Sequence, residues 1–439
     1  MSMIAAQAAT ASETIAGGFL PAKRFYSPAF AALEAERLWP SVWQLACRER
    51  ELPSSGDWTT FDILGQSVVV VRQPDGALRA FHNACPHRGN RLVDGSGNAR
   101  HFVCSYHCWS FELDGQLHAI PEREDFPPLD ETCYGLCEVR VETWGGFVFV
   151  HLDPEAQPLQ AWLAGLSEEL SVYAFEEMAC FMRRRISLPF NWKTCLDAFQ
   201  EVYHVRGVHP QLLPVLKTAA STFHYWGPHS MMCNPNGEPA ARGSGSADDR
   251  SLMLEFRRGK ADAGGLDVSQ LGESRLIDNY QYHLFPNISF NTHATGCQLF
   301  RFLPDPREVE SMLLDIWFLE RDNAGVEHAA EAKSHTLDGE CTSFGQSLAS
   351  FTLPPGVRSF GQDLVDIYAA ALDQDFEQLR PVQRGLHSAG LPPLPLSSQE
   401  QRIAHWNSTL DKCLAGPGLD EAMQFRGVPR EPPDGNGRC

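Results

Sequence analysis

The sequence predicts an α+β protein: a small all-β domain followed by a larger α/β domain in which strands and helices are mixed. Three observations carry this reading. Between Trp58 and Leu152, short apolar runs of strand length alternate with turn signals. Beyond Pro154, strand and helix patterns intermingle. The 439 residues are long for one core and comfortable for two domains.

Taken in order, residues 29–49 (AFAALEAERLWPSVWQLACRE) begin as an amphipathic helix, with Phe30, Leu33 and Leu38 able to share a face. Strands follow at 58–63, 67–73 and 78–83, the last two joined by Pro74-Asp75-Gly76, a hairpin signal. Further strands are expected at 101–105, 109–113 and 146–152, with Asp114-Gly115 as a second tight turn. After Pro154 helices are expected at 158–172, around 194–205, at 361–386 and at 398–414, with strands at 281–290, 298–303 and 312–320. Residues 235–249 (PNGEPAARGSGSADD) read as a loop, mobile or merely exposed. The expected division is 1–39 as a helical segment packing on the second domain, 40–155 as the all-β domain and 156–439 as the larger one.

Composition narrows the function. Apolar residues at 43% and charged residues at 21% are ordinary for a globular chain. A net charge of −19, from 36 basic and 55 acidic residues, repels nucleic-acid phosphates and anionic membranes. Neither is expected as a partner. Thirteen cysteines, scattered and odd in number, make no secreted disulfide framework and point to a reducing, cytoplasmic compartment. The N-terminus has no basic residues ahead of its apolar stretch, so no signal peptide is expected, and no run is as long as a membrane span.

The stretch 85-CPHRGNRLVDGSGNARHFVCSYHCW-109 sets Cys85-x-His87 and Cys104-x-x-His107 sixteen residues apart. Two thiolates and two imidazoles could hold one zinc ion. Each Cys, however, is paired with a His, and both pairs lie between strands. That suits a two-iron cluster in which one iron takes Cys85 and Cys104 and the other His87 and His107. The residues around these pairs resemble the Rieske [2Fe-2S] signature. That family usually has Pro after the second ligand Cys and Gly after its His; here these are Ser105 and Cys108.

A second constellation lies in 191-NWKTCLDAFQEVYHVRGVHP-210. It offers Glu201, His204 and His209, and two His with a distant carboxylate make the facial triad of non-haem Fe(II). Glu201 and His204 are neighbours on a helix, whereas His209 requires the helix to widen or end, as Gly207 and Pro210 allow. The third ligand is sought on 361-GQDLVDIYAAALDQDFEQLRPVQRGL-386. There Asp375 falls on the stripe of Leu364, Tyr368, Ala371 and Leu379, while Asp366, Asp373 and Glu377 share the polar face.

This segment resembles the catalytic motif of the Rieske non-haem iron ring-hydroxylating oxygenases, large (alpha) subunit. It matches Asn191-Trp192-Lys193, the step Glu201–His204, and His209-Pro210, with a softer match after Asp375. The resemblance implies a helix-grip-like catalytic domain, an antiparallel sheet flanked by helices. It implies mononuclear iron on His204, His209 and Asp375, dioxygen as co-substrate, and electrons drawn from NAD(P)H through a reductase, directly or by way of a ferredoxin. It also implies a homotrimer, with or without a small β subunit, in which Glu201 bridges His204 to a neighbouring subunit's His107. Many members have Asp at the bridge; Glu201 is as in members resembling carnitine and choline monooxygenases. An Asn of the family is replaced by Ala198.

The expected activity is that of a terminal oxygenase on an aromatic or other hydrophobic small molecule, the commonest substrates of the family. The alternative is a monooxygenase acting on a quaternary amine or methyl ether. An electron carrier with a degenerate second domain is the alternative outside enzymes. Cys133 and Cys137 are expected as buried thiols, and His224, His229, His283 and His293 as structural. Trp192, Phe199, Phe285, Phe290 and Phe302 are expected in the core, with some facing a cavity.

Overall fold

A computed structural model describes residues 18–214, 216–236, short stretches within 251–262, 267–321, 335–336, 344–348 and 360–415. The loop expected at 235–249 lies outside the described residues but for its first two positions.

The N-terminal helix starts where Ser27 accepts a hydrogen bond from the Phe30 N–H at 3.3 Å and Pro28 takes the first turn. Phe30, Leu33 and Leu38 are buried as the periodicity requires. The helix widens over Glu34–Leu38, and the chain leaves it after Ser41. Pro40 lacks the N–H that continuation needs. Gln44–Arg48, at the end of the stretch that begins as this helix, is a strand with all five residues buried.

That strand opens a seven-stranded antiparallel sheet. Its spatial order is Gln44–Arg48, Phe147–His151, Glu138–Trp144, Leu78–His82, Gln66–Arg72, Asp57–Ile63, Ser96–Asn98. The Pro-Asp-Gly turn closes with Gly76 N–H donating to the Gln73 carbonyl at 3.0 Å, Gly76 having φ +87°. The strands expected at 101–105 and 109–113 shorten to Phe102–Val103 and Ser110–Phe111, in a separate three-stranded sheet with Leu117–Ala119. The intervening residues are committed to a tight loop.

The second domain is built on an eight-stranded sheet. Its order runs Thr222–Trp226, His229–Asn234, Asn279–Leu284, Ile288–Thr292, Gly296–Pro304, Met312–Arg321, Met178–Leu188, His335–Thr336. All pairs are antiparallel except the last. The single strand expected at 281–290 is instead a hairpin that reverses at Phe285-Pro286-Asn287. The eleven-residue strand Met178–Leu188, which carries the cationic run Arg183-Arg184-Arg185, is not among the strands expected from sequence. In the fold these cations have partners: Arg183 meets Glu51 at 2.7 Å and Arg185 meets Asp315 at 2.6 Å. The helix Phe360–Gly385 packs against the site helix Trp192–Ala198, and Gln401–Leu414 closes the C-terminal side.

The two sheets are joined by buried side chains. The Arg48 guanidinium donates to the carbonyls of Phe175 at 2.9 Å and Met178 at 2.7 Å, and Arg301 donates to the Leu45 carbonyl. One apolar cluster runs from Val68 and Val70 through Leu38 and Trp39 to Trp192 and Phe300. Lys193 on the site helix pairs with Glu34 of the N-terminal helix at 2.9 Å, fully inside the protein. Arg48→Met should therefore be costly, because each orphaned carbonyl loses about 1–3 kcal/mol. We expect a thermal midpoint several degrees lower, at about 2–4 °C per kcal/mol for domains of this size. An unchanged midpoint would show that the Arg48 contacts contribute nothing.

Candidate active site

The cluster motif forms two facing loops. In the first, Gly89 N–H donates to the Cys85 carbonyl and Cys85 N–H to the Asn90 carbonyl, both at 2.8 Å. In the second, Cys104 N–H donates to the Trp109 carbonyl at 2.8 Å and Cys108 N–H to the Cys104 carbonyl at 2.9 Å. Each turn needs a left-handed residue: Gly89 at φ +72° and Cys108 at φ +58°. Cys108 thus occupies a conformation that favours glycine. Its thiol is exposed, whereas Cys85 and Cys104 are buried and share a hydrogen bond.

His87 and His107 lie 4.5 Å apart between ring centroids, and His87 stacks on Trp109 at 4.9 Å. Their Nδ1 atoms are buried without a hydrogen-bond partner among the described residues. Burial, then the charges of His107 and Arg88, hold the His87 imidazole below its usual pKa. Two adjoining thiols and two orphaned imidazole nitrogens fit a [2Fe-2S] cluster.

The second constellation departs from regular helix. The site helix ends at Ala198, and Glu201 and His204 lie in a turn before the short helix Val205–Val208. They meet without sharing a helix because Glu201 folds back. Its Oε2 accepts from the N–H groups of Tyr203 and His204, the latter at 3.1 Å, and its Oε1 lies 2.5 Å from His204 Nδ1. His209 leaves the helical region, φ −122° and ψ 53°, which swings its ring back toward His204.

Both imidazoles present Nε2 to one carboxylate. His209 Nε2 lies 2.9 Å and His204 Nε2 3.7 Å from Asp375 Oδ1. The donor atoms of these three residues lie within 4.8 Å of one another. Each Nδ1 has its own partner, Glu201 for His204 and the Gln374 side-chain oxygen at 2.8 Å for His209. Such partners fix the tautomer and leave Nε2 free to bind a metal. Burial disfavours the His204 imidazolium, but the Glu201 hydrogen bond and charge, with Asp375, outweigh it and raise its pKa. Two imidazoles and one carboxylate aimed at one point fit non-haem iron(II).

Asp373, on the polar face of its helix, is engaged in the fold rather than left to solvent. Its carboxylate accepts from the N–H groups of Phe344 at 2.6 Å and Gly345 at 2.9 Å. Cys133 and Cys137 are exposed rather than buried. His229 is structural as expected, its Nε2 meeting the Trp162 carbonyl at 2.8 Å, and burial lowers its pKa to about 4.

Two cavities adjoin the triad. The first, about 330 Å³, is lined by Phe199, His209, Gln281, Asn291, Tyr368 and Asp375 among others. Its described lining includes five amide side chains, adding Asn234, Asn236 and Asn279, and no lysine or arginine. Gln281, Asn291 and Gln298 are in register across three strands. Asn291 is hydrogen-bonded to the Tyr368 hydroxyl. The Gln281 oxygen and both amide atoms of buried Gln298 have no partner among the described residues. Sequence reasoning missed this row and Gln374. The amides become legible only once strand register puts alternate residues of 279–284 and 288–292 on one face. The second cavity, about 470 Å³, is lined by Leu20, Asp197, Val382 and Glu400 among others. Glu201, His204 and Asp375 line both.

Residues 175–416 match the family described as ring hydroxylating alpha subunit (catalytic domain), and residues 42–134 match the Rieske [2Fe-2S] domain. The chain is 37% identical over 194 residues to the carnitine monooxygenase oxygenase subunit of Escherichia coli (strain K12), covering 43% of this chain and 51% of the relative. It is 34% identical over 185 residues to the glycine betaine monooxygenase oxygenase subunit of Pseudomonas aeruginosa (strain UCBPP-PA14), covering 42% and 43%. The chain thus spans about half the length of the curated relatives it matches. A quaternary ammonium Rieske monooxygenase solved with L-carnitine has the same fold, TM-score 0.67 at 21% identity over 90% of this chain and 96% of that one. So does a naphthalene 1,2-dioxygenase solved with indole, TM-score 0.62 at 21% identity over 92% and 93%.

Proposed function

Because the chain belongs to the ring-hydroxylating alpha-subunit family, with a Rieske domain ahead of its catalytic domain, we propose that it is the terminal oxygenase of a multicomponent system. In that system a reductase, directly or through a ferredoxin, supplies the electrons. The observation that carries this is the convergence of His204 Nε2, His209 Nε2 and Asp375, with each Nδ1 independently fixed.

When bound, the cluster on Cys85, Cys104, His87 and His107 would relay single electrons, and iron on His204, His209 and Asp375 would activate dioxygen. Glu201 and Gln374 hold the two imidazoles in the ligating tautomer. Glu201 also faces the second cavity, where a neighbouring subunit's His107 would reach it in a homotrimer. The first cavity would hold the substrate against the triad.

For the substrate we favour the monooxygenase alternative over the aromatic one. Carnitine and glycine betaine monooxygenase subunits are among the relatives. A compact cavity with two carboxylates, five amides and no lysine or arginine in its described lining suits a small polar molecule bearing a methylated nitrogen. Amide oxygens and the faces of Phe199 and Tyr368 can surround a methylammonium group, while amide N–H groups bind the remaining polar atoms.

The test is a single turnover of chemically reduced protein with dioxygen and a panel of quaternary amines, N-methyl compounds, methyl ethers and aromatic hydrocarbons, read by product mass. Gain of one oxygen or loss of a methyl group is expected. Gain of two oxygens on an aromatic ring would overturn the monooxygenase reading. Gln281→Leu should raise KM by about two- to tenfold, the worth of one hydrogen bond, with kcat little changed; an unaltered KM would remove Gln281 from substrate binding.

A further inference from the structure

We propose that His101, Glu112 and His118 form a third metal site, on the surface of the cluster-bearing domain, for a divalent ion of the zinc class. The three residues come from three paired strands. His101 precedes Phe102–Val103, Glu112 follows Ser110–Phe111, and His118 sits within Leu117–Ala119. The register Phe102↔Phe111 sets His101 opposite Glu112. The backbone bond from Glu112 N–H to the Gln116 carbonyl, at 2.8 Å, holds the third strand alongside. A sheet, rather than a loose loop, therefore places these side chains together.

Their donor atoms already converge. Glu112 Oε2 lies 3.1 Å from His101 Nε2, and Glu112 Oε1 lies 2.5 Å from His118 Nδ1. The two rings stack at 4.5 Å with 27° between planes, and the donors lie within 4.8 Å of one another. Among the described residues, the other group of three or more His, Cys, Asp or Glu side chains meeting this spacing is the triad of His204, His209 and Asp375. Two imidazoles and a carboxylate, with solvent free to complete the coordination, suit zinc and its neighbours better than calcium or magnesium.

Such an ion would tie together three strands, and the loop Cys104–Trp109 joins the first two of them. It would brace the cluster loop from outside without touching the cluster.

The test is calorimetric titration of zinc chloride into chelator-cleared protein that retains its cluster and mononuclear iron. One equivalent per chain is expected in the micromolar range. His118→Ala and Glu112→Gln should each weaken that equivalent at least tenfold, with cluster absorbance unchanged. His209→Ala should keep it, which separates it from zinc taken up at the iron triad. No uptake by the iron-loaded protein would overturn the site. So would an equivalent that survives in a protein carrying both His101→Ala and His118→Ala.

Discussion

Glu201→Gln is expected to keep the cluster and the mononuclear iron and to lose about 10²-fold in turnover, the upper end of what an orienting partner contributes. The Glu201 carboxylate makes three contacts at once: the His204 ring at 2.5 Å and the N–H groups of Tyr203 and His204. All three call for an acceptor. An amide has one accepting oxygen, so its NH2 must face either the His204 ring N–H or the two backbone donors. The imidazole then loses its fixed tautomer, or the turn before Val205 loosens. Either way the link from the second cavity to His204 is impaired while the metal ligands themselves survive. Iron per chain, cluster absorbance and single-turnover product together decide it. Wild-type turnover in the variant would sink the bridging role.

His209→Ala is expected to lower bound iron from about three atoms per chain to about two, the cluster pair alone, and to abolish product formation. His209 is nearly enclosed and lies 2.9 Å from Asp375, so neither water nor a neighbour replaces it well. Two companions give the result its resolution. Gln374→Ala removes the acceptor at 2.8 Å from His209 Nδ1, which also accepts from the Gln211 amide, and should weaken iron binding by about 10–100-fold. Asp373→Ala should leave iron content alone, because that carboxylate serves the N–H groups of Phe344 and Gly345. Equal iron loss in the Asp373 and Asp375 variants would undo the assignment of the third ligand.

What the sequence disclosed and what it hid have separate physical causes. The cluster loops were legible because four ligand-type residues at tight local spacing leave little freedom. The strands of the all-β domain were legible from turn chemistry at Pro74-Asp75-Gly76 and from alternating apolar runs. The strand Met178–Leu188 was hidden because two of its three arginines, Arg183 and Arg185, are neutralised by Glu51 and Asp315, partners over a hundred positions distant. The turn at Glu201 was hidden for a related reason. A helical i, i+3 step and a carboxylate folding back on its own following N–H groups look the same on paper. The amide row, Gln374 and the role of Asp373 required strand register and helix packing, which no local pattern encodes. Cys108 was the reverse case: the usual glycine of the resembling family is explained by φ +58° at this position.

The strand Gln44–Arg48 hydrogen-bonds into the cluster-bearing sheet, yet all five of its residues are buried, and its last side chain grips the carbonyls of Phe175 and Met178. Read as sequence, the cluster-bearing half looks like a cassette that could be excised or exchanged. The seam says otherwise. A transplanted cassette would arrive with a raw apolar edge and an arginine seeking two carbonyls it left behind. Chimaeras should therefore survive when the crossover points carry Arg48 together with 175–178, and fail when the cut falls between them. Recombination in such a chain is constrained less by its metal ligands than by the seam on which its two halves close.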